Sequence, residues 1–168
     1  MPTKRTARRT TTTPTARAAH ASSKRRKLRE QALVQIADYL RDNGFENPDD
    51  FKVKGGYRVE FPDFTIYASV EADGDDLVYL VGAEVMPLPS DQDLVVPLMR
   101  ELLQMNAVAR GPARFCIDGD SIWVVAVDLV ELLPDADYGR CIDAVFAWAG
   151  QAQETLRKKY HKTTRKRR

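Results

Sequence analysis

The chain has 168 residues, of which 43% are hydrophobic, and a formal net charge of +2 at pH 7. This length is sufficient for one domain with its own core, and no apolar run approaches the roughly 20 residues of a membrane-spanning helix, so we expect no membrane partner. The two cysteines, Cys116 and Cys141, lie in apolar stretches and cannot form a disulfide framework, so we expect buried thiols in a cytoplasmic protein.

The charges are separated along the chain. Residues 1–29 hold 10 Lys and Arg and residues 157–168 hold 8, with no acidic residue in either segment. Residues 30–156 hold the other 8 basic residues and all 24 acidic residues, a formal charge of −16. We therefore expect an acidic domain between two basic tails.

Residues 1–24 are predicted to form a disordered basic arm. Nothing apolar larger than Ala occurs from Pro2 to Lys27, so the segment has no side chains whose burial could offset its ordering entropy. The folded domain is predicted over residues 25–158, followed by a basic C-terminal tail over residues 159–168.

A helix and three strands are predicted in the first half of the domain. Apolar residues recur on one helical face from about Lys24 to Asn43, and Gly44 follows as a stop signal. Alternation of apolar and polar residues then predicts strands over 57–61, 64–70 and 77–86. The turn at 72–76 favours an antiparallel meander.

Two helices and a hairpin are predicted in the second half. A wide apolar stripe over residues 91–109 predicts a helix, in which Pro97 is tolerable if Asp93 caps the helix and keeps Pro97 in the first turn. Strands over 113–118 and 121–129 are joined by an Asp-Gly turn at Gly119. A third helix is predicted from about Tyr138 to Lys159.

The order α-β-β-β-α-β-β-α predicts an α+β fold with an antiparallel sheet packed with helices. Three stretches, LMRELLQMNAVARG, RFCIDGDSIWVVAVDL and DYGRCIDAVFAWAGQAQETL, resemble the YbjN family and the class I type III secretion chaperones, which share one α+β fold. The likeness covers roughly residues 25–158 and consists of element order and apolar spacing, and the chain looks closer to the YbjN branch.

The resemblance implies a non-catalytic, often homodimeric domain that binds a peptide or protein and needs no cofactor. In the secretion chaperones an extended partner segment lies over apolar grooves and adds to sheet edges. We expect a homodimer formed through the last helix or the sheet face. The predicted partner-binding residues are apolar and expected to be half-exposed: Leu98, Leu102, Trp123, Val125, Phe146 and Trp148.

The sequence contains no recognisable catalytic or metal site. Both histidines, His20 and His161, lie in the predicted tails, so the domain lacks an imidazole for general base catalysis. The acidic stretch EADGDD has no ligand at the fifth position and no glycine at the sixth position of a calcium loop, so a hairpin turn is the expected structure. We expect no enzyme, no catalytic residue and no metal ion.

The alternative function is non-specific binding of nucleic acid through the basic tails. The residues that could contact phosphates are Lys24, Arg25, Arg26, Lys27, Arg165, Lys166, Arg167 and Arg168. The acidic domain would repel the same polyanion at short range. The tails could instead fold onto the acidic surface of their own or a neighbouring subunit, and the sequence leaves both possibilities open.

Overall fold

The computed structural model describes residues 14–134 and 137–160, with side chains from residue 22 onward. The helices are α1 (Pro14–Asp42), α2 (Gln92–Val108), α3 (Asp137–Ala152) and the short α4 (Lys158–Tyr160). The strands are β1 (Lys52–Val53), β2 (Gly56–Glu60), β3 (Thr65–Asp73), β4 (Asp76–Pro87), β5 (Arg114–Asp118) and β6 (Ser121–Leu129).

In the described part of the chain, six strands form one antiparallel sheet in the order β1-β2-β3-β4-β6-β5. This confirms the predicted α+β fold and adds β1, a two-residue strand that pairs with β2. Alternate residues of β2, β3, β4 and β6 are buried, and α1 and α3 pack on this face. The intervening residues are mostly half-buried or exposed, and they form the outer face of the sheet.

Helix α1 is longer than predicted. It begins at Pro14 rather than near Lys24, so part of the predicted arm is helical, while residues 1–13 lie outside the described residues. At its other end Gly44 has a φ of 92°. Phe45 N donates to Leu40 O at 3.0 Å and Gly44 N donates to Arg41 O at 3.1 Å, the two bonds of a Schellman cap.

Asp93 does not cap α2, so the condition that would keep Pro97 in the first turn is not met. Asp91 is the N-cap residue, and its side chain accepts a hydrogen bond from Asp93 N at 3.0 Å. Asp91 can do this because its own backbone is extended while Asp93 is already helical. Pro97 therefore lies inside the helix, beyond the first turn, where its missing N–H leaves the Asp93 carbonyl without its usual donor.

Asn106 near the end of α2 ties this helix to the edge strand β5. Phe115 N donates to Asn106 Oδ1 at 2.7 Å, and Asn106 Nδ2 donates to Phe115 O at 3.0 Å. The amide side chain thus satisfies both backbone groups of one strand residue.

Helix α3 runs along the central strands and ends in a π-helical turn. Near its start Tyr79 donates a hydrogen bond to the Tyr138 carbonyl at 3.0 Å. After Ala152 the helical path continues as a π-turn over Gln153–Arg157 and then as α4. The buried Gln153 donates to the carbonyl of Val85 at 2.8 Å, beside the irregularity in β4 between Glu84 and Met86.

Candidate partner-binding surfaces

The structure separates the six predicted partner-binding residues into different places. Leu98 is 0% exposed and Leu102 is 5% exposed, so the expected half-exposure of these two residues is wrong. Both lie on the side of α2 that faces the core. Trp148 is half-buried and packs edge-on against Phe115, with ring centroids 5.6 Å apart.

Trp123 and Val125 lie on the outer face of the sheet and are half-buried. Gly82 of β4 pairs with Val125 on one side and with Tyr67 of β3 on the other. Because Gly82 has no side chain, the Trp123 and Tyr67 rings approach each other across it, with centroids 6.1 Å apart. Arg58 extends the row, 5.9 Å from the Tyr67 centroid.

Phe146 lies elsewhere, on the wall of an aromatic groove between α1, β2, β3 and α3. The groove has a volume of about 250 Å³. Its lining residues are Tyr39, Leu40, Asn43, Phe45, Tyr57, Val59, Phe61, Ile66, Ala68, Ile142, Asp143 and Phe146. Phe146 is 45% exposed, and its ring lies 5.0 Å from that of Phe61 and 5.5 Å from that of Phe64.

Further contacts between aromatic rings involve Phe45 and Phe61 of the groove wall. The Phe45 ring contacts Phe51 at 5.3 Å and Phe61 at 6.3 Å, both edge-on. Phe61 N donates to Phe64 O at 2.9 Å, which closes the turn that carries both rings. Edge-to-face pairs of this kind are favourable beyond the area they bury. The groove was missed in the sequence because its walls come from four elements distant along the chain.

Tyr39 and Asp143 form the polar part of the groove wall. The Tyr39 hydroxyl donates a hydrogen bond to Asp143 Oδ1, and burial, together with this hydrogen bond and the carboxylate charge, raises the pKa of Tyr39. Gly139 permits the arrangement, since a Cβ at that position would lie 2.4 Å from the Tyr39 ring. The hydroxyl therefore stays protonated near neutral pH and acts as a donor.

Helix α2 exposes a second apolar stripe on the side opposite the core. Val96 is 66% exposed and Leu103 is 69% exposed, with the half-buried Met99 between them. The spacing i, i+3, i+7 places these three side chains on one face of the helix. Ile117 on the neighbouring strand β5 is also exposed.

The basic residues at the start of the predicted domain contact its own acidic loops. Lys24 Nζ lies 3.3 Å from Glu131 Oε1. Arg25 forms an ion pair of 3.1 Å with Asp75 and donates to backbone carbonyls of the same turn. For Lys24 and Arg25, these contacts favour folding of the basic segment onto the acidic surface of its own subunit rather than binding of phosphates.

The other residues of the predicted phosphate-contacting set are less constrained. Arg26 pairs with Glu30 one helical turn away at 3.7 Å, and Lys27 is exposed. Arg165, Lys166, Arg167 and Arg168 lie outside the described residues.

The described residues offer no arrangement typical of catalysis or metal binding. Within ranges 14–134 and 137–160, no group of three or more His, Cys, Asp or Glu could hold a metal ion. Both cysteines are free; Cys141 is buried as predicted, whereas Cys116 is only half-buried. Burial raises the pKa of both thiols, and nearby carboxylates, Asp118 for Cys116 and Asp128 for Cys141, raise it further. Such thiols are weak nucleophiles near neutral pH.

None of the helices in the described ranges combines the length and the apolar character needed to cross a membrane.

Comparison with known proteins finds likeness in structure rather than in sequence. No protein-family model and no curated protein sequence matches the chain. A chain in the crystal structure of the ExsC–ExsE complex superposes with a TM-score of 0.56 at 16% identity, over 76% of this chain and 94% of that one.

Two further solved structures show the same likeness. A chain of the HopA1–SchA chaperone–effector complex gives a TM-score of 0.51 at 14% identity, over 76% of this chain and 95% of that one. A chain of the ExoU–SpcU complex from the type III secretion system of Pseudomonas aeruginosa gives 0.50 at 15% identity, over 71% and 95% of the two chains. At these identities the likeness concerns the fold alone. The chain has the α+β fold of type III secretion chaperones, and membership of the YbjN family stays a prediction.

Proposed function

We propose that this protein is a non-catalytic, chaperone-like protein of the YbjN type that binds an apolar segment of a protein partner in the cytoplasm. The aromatic groove is the observation that carries the proposal. An open groove lined mainly by aromatic and aliphatic side chains, with few polar groups, is typical of a binding site. The three similar structures named above are complexes of two proteins, which agrees with a protein ligand.

The sheet edge beside the groove supports an extended partner segment. Strand β1 pairs only with Gly56 and Tyr57 of β2. The backbone of residues 58–60 therefore lies at an edge that no strand of the described residues covers. An extended peptide could pair with these residues while its apolar side chains enter the groove.

The experiment is a comparison of captured proteins. Tagged wild-type protein, Phe146→Ser and Leu132→Ser would each be incubated with the native lysate. Leu132 is a matched control, since it is 70% exposed but does not line the groove. We expect a partner retained by wild type and Leu132→Ser but lost by Phe146→Ser, and hydrogen exchange should show protection of residues 57–66 in the purified complex. Equal retention by all three proteins would contradict the groove as the binding site.

We also propose that the protein is a homodimer. The exposed stripe Val96, Met99 and Leu103 supports a seam between two α2 helices, because apolar residues at i, i+3 and i+7 are the pattern of helix pairing. This surface differs from the last helix and the sheet face expected from the sequence. In a two-fold symmetric dimer the same surface of both copies meets, so the stripe of one copy can pack against the stripe of the other.

Light scattering tests the dimer surface. We expect Leu103→Glu to give a monomer because it places a charge in an apolar seam. Val127→Glu on the outer sheet face, where Val127 is also more than half exposed, should remain dimeric. A monomeric wild-type protein, or a dimeric Leu103→Glu protein, would refute the α2 seam.

The contacts of α1 give less support to nucleic-acid binding. Lys24 and Arg25 are engaged by acidic residues of the same chain, so phosphate binding there would first have to break these ion pairs. Binding of duplex DNA and RNA by full-length and tail-deleted protein, measured across salt concentrations, tests this alternative. Tight binding near physiological salt that disappears without the tails would establish it.

A further inference from the structure

The segments that border the aromatic groove carry an excess of acidic residues. Residues 38–63 run from the last turns of α1 through β2 to the turn before β3, and they hold seven acidic and four basic side chains. The wall of the groove adds Asp143 from α3. Asp143 is thus in the groove wall, and further acidic residues neighbour lining residues along the chain, as Asp42 does Asn43 and Glu46 does Phe45.

Ion pairs within the chain neutralise only part of this charge. Arg41 pairs with Asp38 at 2.6 Å. Lys52 pairs with Asp49 at 3.3 Å, and the Arg58–Glu60 pair is 2.8 Å apart. Three of the four basic residues are therefore already neutralised by neighbours. The fourth, Lys54, lies in the β1–β2 turn, at the opposite end of β2 from Phe61.

The remaining carboxylates have no cationic partner in the described residues. They are Asp42, Glu46, Asp50, Asp63 and Asp143, and all five are exposed. Asp143 accepts only the neutral Tyr39 hydroxyl, and Asp50 accepts only the Asn47 amide. Asp63 lies in the turn between Phe61, which lines the groove, and Phe64, whose ring contacts Phe146. Each of these carboxylates keeps its charge available to a ligand.

We infer that the groove binds a partner segment in which apolar anchor side chains alternate with Lys or Arg. The inference rests on the proposed function and adds the charge of the partner to it. Apolar anchors fill the cavity, while flanking cations lie at the acidic rim, where unpaired carboxylates provide complementary charge and faster association. An acidic segment would meet repulsion at the same rim.

The basic tails of the chain itself do not meet this description. Residues 1–13 and 161–168 are basic but contain, apart from Met1 and Pro2, no apolar side chain larger than Ala. They could approach the acidic rim but could not fill an aromatic cavity of about 250 Å³. The occupant is therefore a different chain that supplies both features.

Two synthetic peptides test the inference by fluorescence anisotropy with the full-length protein. They share Leu and Phe at alternate positions, and the intervening positions hold Lys in one peptide and Glu in the other. We expect the Lys peptide to bind at least about tenfold more tightly in low salt, with a smaller difference at high salt.

Matched variants separate the charge of the rim from the charge of the whole protein. In Asp63→Asn/Asp143→Asn both residues keep an acceptor oxygen, so the turn and the Tyr39 hydrogen bond are retained. We expect affinity for the Lys peptide to fall about three- to tenfold, the effect of two exposed charges. Asp118→Asn/Asp120→Asn makes the same charge change in the β5–β6 turn at the other sheet edge and should leave affinity within about twofold of wild type.

The outcomes distinguish the inference from the proposed function. If both peptides bind equally and Phe146→Ser abolishes both, the groove binds partners but its charge preference is refuted. If the Asp118/Asp120 variant loses as much affinity as the Asp63/Asp143 variant, the attraction is a property of the whole domain, which also refutes the inference. If neither peptide binds the wild-type protein, the inference fails together with the groove.

Discussion

Gly56 lies where β2 and β3 approach most closely. A Cβ at this position would lie 2.0 Å from the Ala68 carbonyl oxygen and 2.6 Å from the Ser69 Cα. Both atoms belong to a backbone that the strand ladder holds in place. The φ of Gly56 is not positive, so the need for glycine comes from lack of space rather than from backbone conformation.

We therefore expect Gly56→Ala to lower the free energy of unfolding by about 2–4 kcal/mol, because two strands must separate to admit one methyl group. Gly150→Ala in α3 is the matched control, since nothing lies within 4 Å of its Cβ position. That change should stabilise the protein by about 0.5–1 kcal/mol through helix propensity. Urea unfolding measures both values, and a neutral Gly56→Ala variant would mean that the strands are farther apart than described.

At the level of elements, α4, the last described helix, is attached to Glu101 of α2. Lys159 Nζ and the Tyr160 hydroxyl each donate to Glu101 Oε2 at 2.6 Å. Burial alone would raise the pKa of the Glu101 carboxyl, but the hydrogen bonds from Lys159 and Tyr160 outweigh it and hold the pKa below its usual range. The carboxylate is thus favoured by the folded arrangement.

A carboxyl group whose pKa is lower in the folded than in the unfolded protein stabilises the folded state. The full stabilisation is present at pH values above the unfolded pKa of about 4.3, and it is lost as the pH falls through the folded pKa. We expect the stability difference between wild type and Glu101→Gln to be constant from neutral pH to about pH 5 and to vanish in stronger acid. Urea unfolding at a series of pH values measures it. Glu154→Gln, an exposed change that breaks no ion pair of the described residues, should show no such pH dependence.

The elements themselves were largely predictable because their signals are local. Alternating strands, helical stripes and turn glycines each occupy a few consecutive residues, so five of the strands and the three long helices were expected in the right order. Strand β1 has two residues and therefore no period to detect. The cap of α2 was misplaced because Asp91 and Asp93 are equally suitable by residue type, and only the backbone at Asp91 decides between them.

The candidate sites were less predictable because they depend on packing between distant segments. Apolar spacing shows that α2 has two apolar sides, but only the packing of α2 against the rest of the domain decides that Leu98 is buried and Leu103 is exposed. Similarly, Phe61 and Phe146 are separate apolar residues in the sequence. They become walls of one groove only when α3 lies across β3.

At the scale of the whole molecule, basic residues near the boundaries of the acidic domain contact its acidic side chains. Lys24 and Arg25 form these ion pairs near the N-terminal boundary, and Lys159 forms one near the C-terminal boundary. The two attachments lie at opposite ends of the central sheet, since α3 passes from Tyr79 to Val85 between them. These three basic side chains therefore contact the acidic domain at two separate places.

The N-terminal attachment predicts how the first half of α1 responds to charge reversal. Residues 22–27 of α1 have no large apolar side chain to bury, so the ion pairs with Glu131 and Asp75 are the described contacts that hold this segment against the domain. Exposed pairs of this kind contribute about 0.2–1 kcal/mol each and weaken with salt. Arg25 also donates to the carbonyls of Gly74 and Asp75, which makes it the stronger of the two attachments.

We expect Arg25→Glu to increase amide hydrogen exchange in residues 22–27 about two- to fivefold, while exchange in residues 32–40 stays unchanged because Ala32, Ile36 and Leu40 remain buried in the core. Lys27→Glu makes the same charge change at an exposed position without an ion pair in the described residues. If both variants increase exchange equally, the contact with Asp75 does not hold residues 22–27, and the change comes from helix propensity and net charge. If Arg25→Glu alone acts, and high salt reproduces its effect in the wild-type protein, residues 22–27 are held electrostatically. They can then be released by a polyanion that competes for Lys24 and Arg25, or by a basic ligand that competes for Glu131 and Asp75.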